Sequence, residues 1–210
     1  MRFAICIPAR GQMEVQTAFD LAAMVGYMCK ATDHELDIYT ASGTLIFDQR
    51  NKLVHTAIDA KCDYIVFIDA DMRFPRDTIM RLLAHDKDII GVNATTRSEP
   101  VKPTAKNLQI EEDGSCSFIP IYSNVMTGIS QVDGIGCGVM MIKADVIAKL
   151  EEPYFYFEQL PNNKIMGEDI YFCIKARDAG ITTWVDHELS MEIKHIGAYT
   201  YSWDNIEKKI

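Results

Sequence analysis

Residues 67–75 read FIDADMRFP, and the apolar run Ile65–Ile68 delivers two aspartates one residue apart. Residues i and i+2 of an extended segment project to the same side. The carboxylates of Asp69 and Asp71 would therefore repel each other unless a cation sits between them. Hard divalent ions take oxygen ligands and also bridge diphosphates, so a metal–nucleotide site is the economical chemistry. A pair of aspartates in a surface turn or helix cap is the plainer account, and D-x-D taken alone favours it. Two further groups shift the balance. GEDIYFCIKARDAG carries Glu168 and Asp169 at a helix start, where the helix dipole favours acids and simple capping is the competing role. KHIG places His195 after a short strand, in a loop-like setting suited to a ligand. Aspartates, an acidic helix start and a late histidine make a metal-plus-base set.

These groups need elements to hold them. Phe3–Ile7 reads as a buried strand ending at Pro8. Val15, Ala18, Phe19, Ala22 and Val25 recur at helical spacing, which predicts a helix over about 14–30 with that stripe inward. Leu36–Thr40 reads as a strand, and 51–61 as a helix with Leu53, Val54, Ala57 and Ile58 inward. Tyr64–Ile68 is continuously apolar, as in a strand covered on both faces. Pro75 opens a helix at its first turn, carrying Ile79, Leu82 and Leu83 on one face, and Ile89–Val92 is a further strand. This alternation predicts an α/β fold with an open, mostly parallel sheet flanked by helices. In such sheets ligands bind outside the carboxyl ends of the strands, which is where IVFIDAD puts its aspartates. Residues 94–132 read as loops with short strands. A loop enters a strand and then a helix to about Leu150, Gly167–Ala179 is a helix stopped by Gly180, and Thr183–Val185 and Met191–Ile193 are short strands. The chain reads as one domain over 1–210: a nucleotide-binding half to about residue 93 and a less regular half from about 94.

Composition limits the possible partners. The chain has 210 residues, 48% of them hydrophobic, and a net charge of −9. Phosphate backbones need a basic surface, so nucleic-acid binding is not expected. An acidic protein that handles a phosphorylated ligand needs a recruited cation. The six cysteines (6, 29, 62, 116, 137 and 173) show no CxxC and no close pairing, and read as small core residues in a reducing compartment. The apolar start is too short for a signal peptide, and no run approaches a membrane span. The expectation is a soluble, cytoplasmic protein.

DYIVFIDADMRFP, GCGVMMIK, EEPYFYFE, GEDIYFCIKARDAG and KHIG occur in an order that resembles the GT-A-fold, nucleotide-sugar-dependent glycosyltransferases near family 2. The resemblance runs from about Ile5 to Gly197. It implies a Rossmann-like GT-A sheet joined to an acceptor-binding half, with Mn²⁺ or Mg²⁺ as cofactor. It implies a UDP- or GDP-sugar as donor and an unidentified hydroxyl acceptor. Asp69 and Asp71 match the D-x-D motif around Ala70. Asp71 would bind the metal, and Asp69 would face the ribose or sugar or reach the metal through water. His195 matches the histidine that completes the metal shell. Pro8, Ala9 and Arg10 match the loop contacting base and ribose. Arg50 and Asn51 resemble an RN pair near the nucleotide. Gly136, Cys137 and Gly138 match the loop beside the donor sugar. Asp169 matches the general base of inverting members, with Glu168 bonding the acceptor or shaping the site. Lys194 stands where the family often has glycine, either touching the diphosphate or simply solvated.

In the implied reaction a sugar passes to a hydroxyl acceptor, with Asp169 as base if the enzyme inverts and as an orienting group if it retains. A carboxylate–imidazole shell suits Mn²⁺ better than Mg²⁺. A sugar-nucleotide pyrophosphorylase shares the sheet architecture but needs a Gly-rich basic loop after the first strand, where this chain has IPARGQMEV. A non-catalytic nucleotide-sugar-binding module of the same fold is the other alternative. Two aromatic features stay open at this level. Of the run Tyr154–Phe157, two rings are expected in the core and the others along the acceptor cleft. Tyr199, Tyr201 and Trp203 either flap over the donor or pack down the C-terminus.

Overall fold

The computed structural model describes residues 1–110, 116–160, 165–197, 200–203 and 206. The first half runs β1 (Arg2–Ala9), α1 (Val15–Ala31), β2 (Glu35–Ser42), α2 (Ile46–Asp59), β3 (Tyr64–Ile68), β4 (Met72–Arg73), α3 (Thr78–Ala84) and β5 (Ile89–Val92). The second half begins with β6 (Lys106–Ile110), β7 (Cys116–Pro120), β8 (Ile129–Val132), β9 (Val139–Lys143) and α4 (Ala144–Ile147). It continues through β10 (Glu158–Gln159), β11 (Ile165–Met166), α5 (Glu168–Asp178), β12 (Thr183–Asp186), α6 (His187–Glu192), β13 (Lys194–Ile196) and β14 (Thr200–Tyr201).

Seven strands form the central sheet in the order β2-β1-β3-β9-β5-β12-β8. Strands β2, β1, β3, β5 and β12 run one way, while β9 and β8 run against them. Strand alternation splits the apolar runs between two cores. Ala4, Cys6, Ile65 and Phe67 point into one, and Phe3, Ile5, Ile7, Val66 and Ile68 into the other. That is why Tyr64–Ile68 has no polar face. A second, three-stranded sheet, β14-β13-β4, lies at the carboxyl edge and ties the C-terminal segment to the stretch after β3.

Several sequence expectations are corrected. Helix α1 forms, but of its stripe, Val15, Ala18, Phe19 and Ala22 face solvent, with Val15 and Phe19 66% and 73% exposed, and Val25 alone packs against the core. Thr17, Met24 and Met28 are buried instead. The helix carries two apolar stripes, and spacing alone does not say which one meets the sheet. Helix α2 starts at Ile46 and so carries Gln49 and Arg50 inward, while Ile58 is exposed. Helix α3 starts at Thr78, after a turn in which the Pro75 carbonyl accepts from the Thr78 amide. The strand expected at 191–193 is helix α6, started by the Asp186 carboxylate accepting from the Leu189 amide at 2.8 Å. The strand falls instead on Lys194–Ile196.

Candidate functional site

At the carboxyl ends of β1, β3 and β5 lies a cavity of about 960 Å³. Pro8, Ala9 and Arg10 line it from the end of β1, and Asp69, Ala70 and Asp71 from the end of β3. Arg50, Gly136, Cys137, Gly138, Glu168, Asp169 and His195 line it as well. Two expected residues lie outside its lining. The Asn51 amide nitrogen donates to the Phe155 carbonyl at 2.9 Å, and its oxygen accepts from the Phe155 amide at 3.0 Å. Asn51 thus anchors the aromatic segment and does not face the cleft. Lys194 is exposed and pairs with Arg73 across β13 and β4.

Two aspartates that a straight strand would aim together are separated by a turn. The strand ends at Ile68, and the Met72 amide donates back to the Asp69 carbonyl at 3.3 Å. Asp69 then meets Arg50, whose Nη2 donates to its carboxylate at 2.9 Å, while Arg50 Nε donates to Glu168 at 3.2 Å. Burial works to lower the pKa of the guanidinium. The carboxylates of Asp69 and Glu168 beside it outweigh burial and keep it charged, with its pKa raised. Its Cζ also lies 5.2 Å from the Phe67 ring centre, an added cation–π contact.

Asp71 has different partners. The amide of Ile196 donates to the Asp71 carbonyl at 2.7 Å, and His195 is paired with Met72 in the small sheet. Strand pairing therefore brings His195 Nε2 within 3.3 Å of the Asp71 carboxylate across more than a hundred residues of sequence. Arg97 Nη1 stands 2.7 Å from the other carboxylate oxygen. Burial works to raise the Asp71 pKa, but His195 and Arg97 prevail and it is lowered.

The expected metal set of Asp69, Asp71 and His195 does not assemble. Among the described residues no three His, Cys, Asp or Glu side chains are grouped to hold a metal. The pair Asp71–His195 does fit a cation. His195 Nδ1 lies 2.9 Å from the Thr95 carbonyl, which can only accept, so Nδ1 carries the proton. Without a cation, a proton on Nε2 makes the contact with Asp71 an ion pair; with that proton displaced, Nε2 would offer a lone pair beside the carboxylate. Two acceptors facing each other at this distance suit an ion between them, completed by ligand oxygens and water.

Asp169 heads α5, where the dipole argument expected an easily ionised acid. Its Oδ1 accepts from the Ile170 amide at 2.7 Å, which does favour the charged form. Burial and then the neighbouring Glu168 act more strongly, and its pKa is pushed up to about 6. Gly167 leaves room for this carboxylate, since a Cβ there would stand 3.0 Å from Asp169 Oδ1.

Several lining residues were missed in the sequence: Gln49, Thr95, Arg97 and Thr104. Thr95 and Arg97 follow β5 closely, so the strand-end rule applied to Asp69 would have pointed to them. Gln49 and Thr104 carry no comparable signal. The side-chain atoms Gln49 Oε1, Arg50 Nη1, Thr95 Oγ1 and Thr104 Oγ1 are buried without a hydrogen-bond partner. Among the described residues, only Thr17 and Thr183 share that condition elsewhere. An orphaned buried polar atom costs about 1–3 kcal/mol, and four of these belong to residues that line one cleft.

Of the open aromatics, Phe155 is buried, stacked on Phe172 at 4.6 Å and edge-on to Phe67. Tyr156 and Phe157 are exposed and pack edge-on against Phe47. Trp203 is buried, and its Nε1 donates to the Asn93 carbonyl at 3.2 Å, so this ring packs down the C-terminus. Tyr199 lies outside the described residues.

The Anp1 family model matches residues 29–110, from late α1 through β6. Comparison of the sequence with curated proteins gives no match. Among solved structures, A197 from STIV superposes with a TM-score of 0.61 at 18% identity, covering 98% of this chain and 92% of that one. A structure of GalNAc-T7 with UDP, GalNAc and Mn²⁺ gives 0.56 at 11% identity over 95% of this chain and 43% of that one. A Drosophila β1,4-galactosyltransferase 7 complex with manganese, UDP-Gal and xylobiose gives 0.54 at 14% identity, over 93% and 71%. The fold is that of the GT-A glycosyltransferases. Within this GT-A fold the antiparallel β9 wedged between β3 and β5 places Gly136–Gly138 on the floor of the cleft. Gly136 abuts Thr104, where a Cβ would come within 3.1 Å. No helix among the described residues is long and apolar enough to cross a membrane.

Proposed function

We propose that this protein transfers a glycosyl group from a nucleoside diphosphate sugar to a hydroxyl acceptor, with a divalent cation held at Asp71 and His195. The observation that carries the reading is the set of orphaned polar atoms at Gln49, Arg50, Thr95 and Thr104 in one cleft. A ligand rich in hydroxyl and phosphate oxygens would satisfy them. The GT-A fold supports a transferase, and solved structures of that fold hold UDP, a sugar and Mn²⁺. A UDP- or GDP-sugar is the proposed donor, and a cytoplasmic setting goes with it. When bound, the cation would offset charge on the diphosphate as the glycosyl bond breaks. Arg50 is held by Asp69 and Glu168 with Nη1 free to donate to the donor. Arg97, now on Asp71, is placed to turn to a phosphate. Asp169 takes the acceptor proton while the acceptor oxygen bonds to the anomeric carbon and the nucleoside diphosphate leaves. Its pKa near 6 leaves it ionised and still basic at neutral pH.

The test is a thermal-shift panel of nucleoside diphosphates and their sugars, with and without Mn²⁺, followed by an assay of donor turnover. Metal-dependent stabilisation and release of nucleoside diphosphate are expected. Pyrophosphate exchange would instead identify a pyrophosphorylase. Binding without donor hydrolysis or transfer to any acceptor would leave a binding module.

A further inference from the structure

Arg50 and Arg97 both line the cleft, and they are held in opposite ways. The Arg50 side chain is 4% exposed and two acids grip it. The Arg97 side chain is 52% exposed, and among the described residues it pairs with Asp71 and no other acid. Arg97 reaches that carboxylate from a loop whose stem is fixed by its own backbone. The Thr96 amide donates to the Lys102 carbonyl at 2.8 Å, and the Lys102 amide donates to Thr96 Oγ1 at 3.0 Å. Thr95 and Pro103 pair across the same stem. The loop therefore does not need the ion pair to hold its shape. Arg97 is the first residue past the tie, so its long side chain can swing while the stem stays. One loop thus governs both oxygens of Asp71. Its stem orients His195 toward Oδ1, because the Thr95 carbonyl accepts from His195 Nδ1 at 2.9 Å. Arg97 covers Oδ2 at 2.7 Å.

We propose that Arg97 stands in for the divalent cation on Asp71 in the ligand-free protein, and that a diphosphate draws Arg97 off and so opens Asp71 to the ion. This rests on the nucleotide-sugar reading of the cleft and adds an order to it. A divalent ion takes carboxylate oxygens as ligands. Arg97 occupies one of the two on Asp71 and sets a positive charge beside the other. Without that guard, Asp71 together with Asp69, Glu168 and Asp169 would gather cations with no substrate present. A half-exposed ion pair is weakly held, so the guard is easily drawn away. A diphosphate carries more charge than one carboxylate, and its paired oxygens suit the guanidinium fork. Arg97 then moves from Asp71 to the phosphate, and the freed carboxylate faces the same ligand. The ion should therefore bind weakly to the empty protein and tightly to the diphosphate complex. By linkage it must raise diphosphate affinity by the same factor.

Titration of Mn²⁺ into the full chain without nucleotide, at fixed pH, tests this through the loss of the free ion's paramagnetic signal. Arg97→Gln should bind Mn²⁺ at least about tenfold more tightly than the parent, with unchanged circular dichroism. Asp71→Asn in the Arg97→Gln background should remove that gain. Arg97→Lys keeps the charge and should stay near the parent. In a second titration, metal-free UDP and GDP are the probes, and whichever binds the parent should bind Arg97→Gln about tenfold more weakly. Unchanged or unmeasurable Mn²⁺ binding in Arg97→Gln would overturn the proposal. So would a gain that survives Asp71→Asn, a lysine variant as tight as the glutamine one, or metal-free nucleotide binding indifferent to Arg97→Gln. A parent chain that binds neither UDP nor GDP, with or without Mn²⁺, would overturn the proposed function along with this inference. The Mn²⁺ titrations need neither nucleotide nor turnover, so failure of the inference alone is told apart from failure of both.

Discussion

On the carboxylate of Asp169, burial and Glu168, the two largest influences, work against the amide of Ile170 and the charge of Arg50. The first two prevail and set its pKa at about 6. As a base it must be ionised, so turnover should rise with pH and level off above a midpoint near 6. A rate profile without that limb would remove it from the reaction. Asp169→Asn should lower turnover by about two orders of magnitude or more while donor affinity changes little. The same residue affects stability with a definite sign. Its folded pKa lies above the unfolded value of about 3.9, so folding favours the protonated form. That contribution is present below about pH 4 and is lost as pH rises through about 6. At neutral pH the Asn variant should therefore melt at a higher temperature than the parent, by calorimetry. An inactive but more stable variant separates a base from a mere helix cap, whose loss would lower stability. Asp71 and His195 make a second residue-scale pair. Asp71→Ala or His195→Ala should abolish the Mn²⁺-dependent part of nucleoside diphosphate binding while the metal-free part persists, measured by calorimetric titration.

Elements decide how these groups are held. Arg50 of α2 reaches Glu168 at the start of α5 at 3.2 Å. One turn outward, Phe47 on α2 and Tyr171 on α5 both contact Tyr156. Beneath them Phe155 wedges between Phe67 of β3 and Phe172 of α5, and Asn51 holds its backbone from both sides. Phe155→Ala should therefore cost ~3–5 kcal/mol, the range for emptying a buried aromatic site, seen as a lower denaturant midpoint. The loss should extend to donor turnover, because the same wedge sets the spacing of the helices that carry Arg50 and Asp169. At the other wall, β4 and β13 pair to fix His195 against Asp71. Gly136 lies against Thr104, where an added Cβ would stand 3.1 Å from Thr104 Cβ and make it give by a few tenths of an ångström. Gly136→Ala should leave melting near that of the parent but weaken donor binding, by displacing Thr104 at the cleft.

At the scale of the whole molecule, a chain of net charge −9 presents a cleft in which Asp69, Asp71, Glu168 and Asp169 all lie. A diphosphate would meet this field unfavourably by itself. Binding linkage makes the consequence measurable: a ligand at 100 times its dissociation constant stabilises the folded state by ~2.7 kcal/mol. Nucleoside diphosphate with Mn²⁺ should raise the melting temperature by more than the sum of either alone. Equal shifts with and without the ion would remove the cation from the proposal.

The sequence by itself determined most strands of the central sheet and most helices, because their signals are local. Ile65–Ile68 is apolar on both faces whatever it packs against, and Gly180, at φ +80°, ends α5 as a C-terminal glycine should. It also identified most of the cleft, since acids and loops at the carboxyl ends of parallel strands converge by topology. Relations between distant or alternative surfaces were decided only by the tertiary structure. The turn after Ile68 parted Asp69 from Asp71, and pairing of β13 with β4 supplied His195 to the second alone. Asn51, adjacent to Arg50, went to the Phe155 backbone because successive helical residues point about 100° apart. The two apolar stripes of α1 are equivalent in their spacing. Only docking on the sheet chose Met24 and Met28 for the core and left Phe19 outside.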